Sequence, residues 1–241
     1  MNKKCFKTLI VSLVLLICVG ASNIVSASAD TFAIDKYEES FTPVKEQSAL
    51  LNIKIQAVSA DDGMIYIPIN TKKPKLESLT VNGTVLPGKL LKIGSVEYFA
   101  ANYGQGNSKV TIEATMFCQD FYKCKKAKTD TGIPSPLMDY KYVNSGVNKV
   151  KSYQLSIALP VGMEPIAVTA PAKVTAYKLG SNEDGLRTVE LKTSVAAAGT
   201  ARLAFTFDRP FTANPIFQIV MWTIFIVISC VVVGKRLKGD K

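Results

Sequence analysis

The chain has 241 residues, 48% of them hydrophobic and 20% charged, with a formal charge of +10. It contains no histidine, which excludes Ser-His-Asp and Cys-His catalysis, nearly all His-based zinc or iron sites, and the usual side chain for switching charge near neutral pH. Without Lys3, Lys4, Lys7, Lys235, Arg236, Lys238, Lys241 and Asp240, which flank two apolar end segments, Asp30 to Ala213 carries 22 basic and 18 acidic residues, too mild a balance for nucleic-acid binding.

The first segment, residues 1–29, reads as a secretory signal peptide. Three lysines precede an apolar run from Thr8 to Ala21, and Ala27-Ser28-Ala29 supplies the small-residue exit, which puts cleavage between Ala29 and Asp30. A lipoprotein signal at Cys18 is disfavoured by the bulky Ile17 before it. An uncleaved anchor would need a longer apolar core, since a bilayer's hydrocarbon is roughly 30 Å thick.

Residues 30–213 show mostly a two-residue period, the mark of half-buried strands. Leu51, Ile53, Ile55 and Ala57 alternate with Asn52, Lys54 and Gln56. Met64 to Ile69 is β-rich but cut by Pro68, and Leu79–Val81 and Thr84–Leu86 flank Asn82-Gly83, a strong hairpin signal. Val96 to Ala101 follows, then Val110 to Phe117 with Val110, Ile112, Ala114 and Met116 on one face. The alternation resumes at Tyr153, Leu155, Ile157 and Leu159, then Ile166 to Thr169. Val174–Leu179 and Leu186–Leu191 form a second hairpin around residues 181–185, and Ala201 to Phe207 closes the body. Short strands spaced by Gly, Pro and Asn predict a mainly β fold, an extracytoplasmic β-sandwich of the immunoglobulin-like class. Residues 119–149 hold Gly132, Pro134, Pro136 and Gly146 with little alternation, and read as an irregular insertion in one domain, or a boundary between two smaller sandwiches.

Residues 216–234 are the second apolar run, long enough at about 1.5 Å per residue to cross a bilayer as one transmembrane helix. Thr223 and Ser229 can bond back onto their own helix, Gln218 lies near one end, and Pro215 precedes the run. The basic residues 235–241 mark a cytoplasmic tail by the positive-inside rule, which places the body outside a cell membrane that the chain crosses once. No LPxTG-like motif precedes the run, so the helix itself is the expected tether. This plan resembles that of many bacterial surface or envelope proteins.

Three clusters are candidate sites. Cys118 and Cys124 are the two cysteines of the body, and in an oxidising compartment they are most simply a disulfide, worth roughly 2 kcal/mol for so short a ring. The stapled segment mixes Phe121 and Tyr122 with Lys123, Lys125, Lys126 and Lys128, and Tyr140, Lys141 and Tyr142 repeat that chemistry. Aromatic rings give contact area and lysines attract anions, so Phe121, Tyr122, Lys123, Lys125, Lys126, Tyr140 and Tyr142 are the binding residues, for a protein partner, an acidic envelope polymer or anionic head groups. The bland alternative is a solvated loop whose rings fold back on the sheet. Asn182-Glu183-Asp184-Gly185 and Asp61-Asp62-Gly63 read as turns rather than ion sites, lacking the spacing of a calcium loop.

No residue pattern implies a cofactor, a metal or a catalytic centre. The expectation is a non-enzymatic, membrane-anchored binding module or accessory subunit of an envelope complex. The alternative is a hydrolase of an envelope polymer using a carboxylate pair drawn from the 18 acidic residues.

Overall fold

A computed structural model describes residues 31–45, 47–128, 134–210 and 215–239. The expected signal peptide, residues 1–29, lies outside them. The body is mainly β: fifteen strands in three sheets among the described residues.

The largest sheet has eight strands in the order β13-β14-β11-β1-β2-β8-β4-β5. Its centre is β1 (Ala33–Pro43), antiparallel to β2 (Ala49–Val58) and parallel to β11 (Val150–Ala158). β8 (Lys109–Cys118) pairs with β2, and β4 (Lys75–Val81) with β8. β14 (Arg187–Val195) extends the other side, edged by β13 (Tyr177–Ser181). The predicted alternation holds: Leu51, Ile53, Ile55 and Ala57 are buried, as are Val110, Ile112, Ala114 and Met116, while Asn52, Lys54 and Gln56 face outward. β4 turns into the two-residue β5 (Thr84–Val85) through Asn82 (φ +49°) and Gly83 (φ +80°), the two left-handed residues that a hairpin of this twist needs.

A four-stranded sheet orders β12 (Glu164–Ala170), β15 (Thr200–Asp208), β10 (Pro134–Val143) and β9 (Lys125–Lys128). The third sheet has β3 (Met64–Pro68), β7 (Val96–Asn102) and β6 (Lys89–Ile93). Pro68 ends an edge strand, where its missing N–H costs no ladder bond. One contiguous core draws side chains from all three sheets, including Phe41 and Ile55 of the first, Leu203 and Phe205 of the second, and Ile65 and Ile67 of the third. Tyr142 of β10 packs on Tyr37 of β1 (4.9 Å between ring centroids) and on Tyr153 of β11 (4.4 Å), so the four-stranded sheet lies against the eight-stranded one.

The structure departs from the sequence reading in several places, beginning with β1 and β6, strands that the alternation did not pick out. Residues 119–149 are not an irregular insertion throughout: β9 and β10 lie there, and β10 buries Met138, Tyr140 and Tyr142 in alternation. Two prolines at its start, Pro134 and Pro136, hide that period. Val174–Ala176 is a 3₁₀ turn, so the second hairpin's first strand begins only at Tyr177. The C-terminal run forms helix α1 (Pro215–Gly239), whose side chains are described for residues 217–232. Ile219, Trp222, Phe225 and Ile228 are among its exposed apolar residues. Among the described residues no helix is long and apolar enough to cross a membrane, so the transmembrane assignment does not follow from the fold.

Candidate functional site

The segment between β8 and β9 folds tightly back on the body. Asp120 adopts φ +57°, Lys123 N–H donates to the Asp120 carbonyl (3.1 Å), and Cys124 N–H to the Tyr122 carbonyl (2.9 Å). Tyr122 N–H donates to the Gln47 carbonyl (2.8 Å), tying the loop to the β1–β2 turn. The rings then turn inward. Phe121 stacks on Phe41 at 4.0 Å, the rings nearly parallel, and Tyr122 is buried, its hydroxyl donating to the Ala158 carbonyl at 2.5 Å. Burial, with lesser contributions from the nearby Cys124 and Cys118, raises the Tyr122 phenol far above its ordinary range.

Cys118 and Cys124 are both free thiols in this structure. Burial pushes each up to about 11; for Cys118 a thiol hydrogen bond to Thr71 Oγ1 (3.8 Å) opposes the rise and the nearby Glu39 adds to it. Thiols held this high are poor nucleophiles at neutral pH.

Around this loop opens a cleft of about 700 Å³, bounded by residues 70–73, by 118–125 and by 137–140. Four exposed lysines stand on it: Lys72, Lys73, Lys123 and Lys125. Its two acids are engaged: Asp120 reaches Lys123 at 3.9 Å, and Asp139 accepts both N–H groups of a bidentate Arg202 at 2.7 Å. Lys72, Lys73 and Lys125 meet no carboxylate among the described residues. Asn70 also lines the cleft. Its Oδ1 accepts from Val143 N–H (3.0 Å), but its buried Nδ2 has no partner. A surplus of exposed cations suits a ligand rich in anionic oxygen.

Beneath the cleft lies a second polar group that the sequence reading missed. Glu39 of β1 is buried, and the hydroxyls of Tyr140 (2.9 Å) and Tyr153 both donate to its carboxylate. Tyr37 and Tyr142 close the cage with hydroxyls that have no partner. Burial raises the Glu39 carboxyl to about 7 against the lowering effect of its two tyrosine hydrogen bonds. The available signal was phase: Glu39 falls between Tyr37 and Phe41 on the inward face of β1.

Of the residues expected to bind, the structure gathers Phe121, Lys123, Lys125 and Tyr140 on the cleft. Lys126 is exposed on β9 beside it. Tyr122 and Tyr142 are core residues, with no face turned to a ligand, because their rings bury more favourably than they solvate. Tyr140 is likewise mostly buried, its hydroxyl committed to Glu39. Asn182–Gly185 is a turn closed by Asn182, whose Oδ1 accepts from Leu186 N–H at 2.8 Å, and Asp62 Oδ1 caps Met64 N–H at 3.0 Å. Among the described residues no cluster of three or more acidic or thiol groups could hold a metal.

No family model matches the chain, and no curated protein does. Solved structures do resemble it. LTA4 hydrolase from Saccharomyces cerevisiae aligns at 11% identity and a TM-score of 0.48, over 76% of this chain and 32% of that one. An M1 zinc metallopeptidase from Deinococcus radiodurans aligns at 8% identity and 0.46, over 73% of this chain and 42% of that one. The chain thus spans less than half the length of either. Against the expectation of a non-enzymatic module, with a carboxylate-pair hydrolase as its alternative, the solved structures that align are those of enzymes of another class. The likeness is one of fold alone, too weak to carry their zinc or their activity to this chain, whose lack of histidine leaves it without the H-E-x-x-H pair of metal ligands.

Proposed function

We propose that this chain takes an acidic envelope polymer in the lysine-lined cleft, outside a membrane to which α1 tethers it. The observation that carries the reading is the cleft itself, on which exposed Lys72, Lys73 and Lys125 stand without carboxylate partners among the described residues. Lysines act as mobile point charges rather than forks, which suits a polyanion with repeating groups better than one fixed phosphate. Such binding would be steered by charge and weakened by salt.

Four further assignments belong to this reading. The eight-stranded and four-stranded sheets, stacked through Tyr37, Tyr142 and Phe41, make a sandwich-type body. Cys118 and Cys124, which bracket the loop, pair as a disulfide once the chain is exported. Residues 1–29 act as its signal. The apolar run 216–234 crosses the membrane once and leaves residues 235–241 inside. What supports the last is the exposure of the apolar residues Ile219, Val220, Met221, Trp222, Ile224 to Ile228, Val231 and Val232 and the basic residues after Gly234.

The test titrates the detergent-solubilised chain with inorganic polyphosphate and compares it with the triple variant Lys72→Ala, Lys73→Ala, Lys125→Ala. The reading expects binding that falls steeply with salt and disappears in the triple variant. A control at Lys178, exposed on the far edge strand β13, leaves it intact. Equal affinity in wild type and triple variant would refute the cleft as the binding surface.

A further inference from the structure

A second cavity, of about 280 Å³, lies away from the lysine cleft, between the tip of the β6–β7 hairpin, the ends of β1 and β3, and the turn after β10. No charged side chain lines it. One wall is aromatic: Phe32 meets Tyr66 edge to face at 6.0 Å, and Tyr66 meets Tyr98 the same way at 6.0 Å. Phe32 and Tyr66 are buried and Tyr98 is half-buried, so Tyr98 is the ring that faces the cavity, fixed from behind by the other two.

The opposite rim is polar and held in place. The Tyr98 hydroxyl donates to Ser145 Oγ at 2.7 Å, leaving the Ser145 hydroxyl proton available. Buried Asn144 locks the turn that carries Ser145 and Asn148, donating to the Asn148 and Ala196 carbonyls (2.8 and 2.9 Å) and accepting from Gly146 N–H (3.1 Å). Exposed Asn148 and Ser95 complete the rim, their side chains without a hydrogen-bond partner among the described residues. Gly94 at φ +60° lets the hairpin tip turn tightly over the cavity, a conformation a branched side chain would resist.

We infer that this cavity binds an uncharged saccharide ring, seated on Tyr98 with its hydroxyls against Ser145, Asn148 and Ser95. An ionised group here would lose its hydration with no countercharge in return, which disfavours phosphates and carboxylates. A flat, wholly apolar ligand would leave the preorganised rim unpaired. A pyranose has one C–H face and an equatorial belt of hydroxyls, and matches both walls; the volume suits one ring.

The experiment uses the whole chain in a detergent without a sugar head group, titrated calorimetrically with N-acetylglucosamine and its β-1,4-linked trimer. Saturable binding is expected for both, and tighter binding of the trimer would mark a polymer-borne ring rather than a free sugar. Tyr98→Ala should weaken binding about tenfold, while Tyr98→Phe, which keeps the ring, should change it only a few-fold. Ser95→Trp, at the exposed hairpin tip, should block the mouth without touching the core, and separates loss of the site from loss of the fold. The triple lysine variant of the cleft should bind the sugar normally. The inference is overturned by no saturable binding to the folded wild type, by unchanged affinity in Ser95→Trp, by equal loss in Tyr98→Phe and Tyr98→Ala, or by loss in the lysine variant.

Discussion

Replacing Glu39 with Gln tests the buried cage directly. The carboxyl titrates at about 7 in the fold against 4.5 ordinarily, with burial as the main cause. A raised folded value means that the native state holds the proton more tightly than the unfolded chain does. The stabilisation is therefore complete below pH 4.5, is lost as pH rises from there through 7, and stays lost above. At 1.36 kcal/mol per unit the difference is about 3 kcal/mol across that window. Gln has the same shape and no charge. Its carbonyl can accept from one tyrosine and its amide can donate to the other, so both hydroxyls of Tyr140 and Tyr153 keep a partner. The variant should lack this pH term. Urea unfolding of the whole chain in detergent, at half-unit steps from pH 4.5 to 8, gives the stability of each protein. The difference between variant and wild type should move by about 3 kcal/mol in favour of Gln as pH rises. Other carboxylates titrate in both proteins and cancel. A difference constant with pH would refute the reasoning, because it would mean that Glu39 ionises as easily in the fold as out of it.

Other perturbations separate core from surface. Phe41→Ala removes a ring that is 1% exposed and stacked on Phe121, and should cost about 3–5 kcal/mol in denaturant unfolding. Tyr122→Phe deletes the hydroxyl donated to the buried Ala158 carbonyl; a loss of about 1–3 kcal/mol is expected, with polyphosphate binding unchanged. Arg202→Ala breaks the bidentate pair with Asp139, but both side chains are substantially exposed, so thermal melts should register less than about 1 kcal/mol. Gly63→Ala should destabilise clearly, since Gly63 sits at φ +76° and a Cβ there would lie 2.9 Å from Gln105 N and from the Gly104 carbonyl carbon. A melt unchanged by that substitution would show that the turn is free to relax.

How much of this was legible depended on whether the inward and outward phases of a strand differ in hydrophobicity. β2 and β8 are read directly, because Ile53, Ile55, Ile112 and Met116 alternate with Asn52, Lys54, Thr111 and Thr115. β1, the centre of the large sheet, is not. Its outward positions include Lys36 and Glu38, and Glu39 is charged in the inward phase, so the run reads as a polar loop. β10 is hidden by Pro134 and Pro136, which sit where it pairs only with the short β9. The cleft was half legible: a basic, aromatic segment is visible in composition, but whether a ring turns to solvent or core depends on strands far away in sequence. Phe121 meets Phe41, and Tyr122 reaches Ala158.

The same long-range pairing explains why an acid sits in this core at all. β1 and β11 are parallel neighbours more than a hundred residues apart, and β10 crosses above them from the other sheet. Hydrophobic contacts alone would tolerate a shift of two residues between stacked strands, since the two-residue period keeps the same phase. The cage does not. Moving β10 by two residues one way would put Met138 in place of Tyr140 and leave a buried carboxylate short of a donor, at a cost of several kcal/mol; moving it the other way would bring in Tyr142, which keeps a hydroxyl there, but would put the amide of Asn144 where the Tyr142 ring now packs. Glu39 thus trades stability above pH 7 for a single register among β1, β10 and β11. That register also places Tyr140 at the floor of the lysine cleft. Hydrogen exchange offers the check: in Glu39→Gln the β10 amides should exchange no faster than in wild type, whereas in Glu39→Leu, which offers neither hydroxyl a partner, they should exchange faster at unchanged β2 protection. Equal protection of β10 in all three proteins would show that apolar packing alone sets the register.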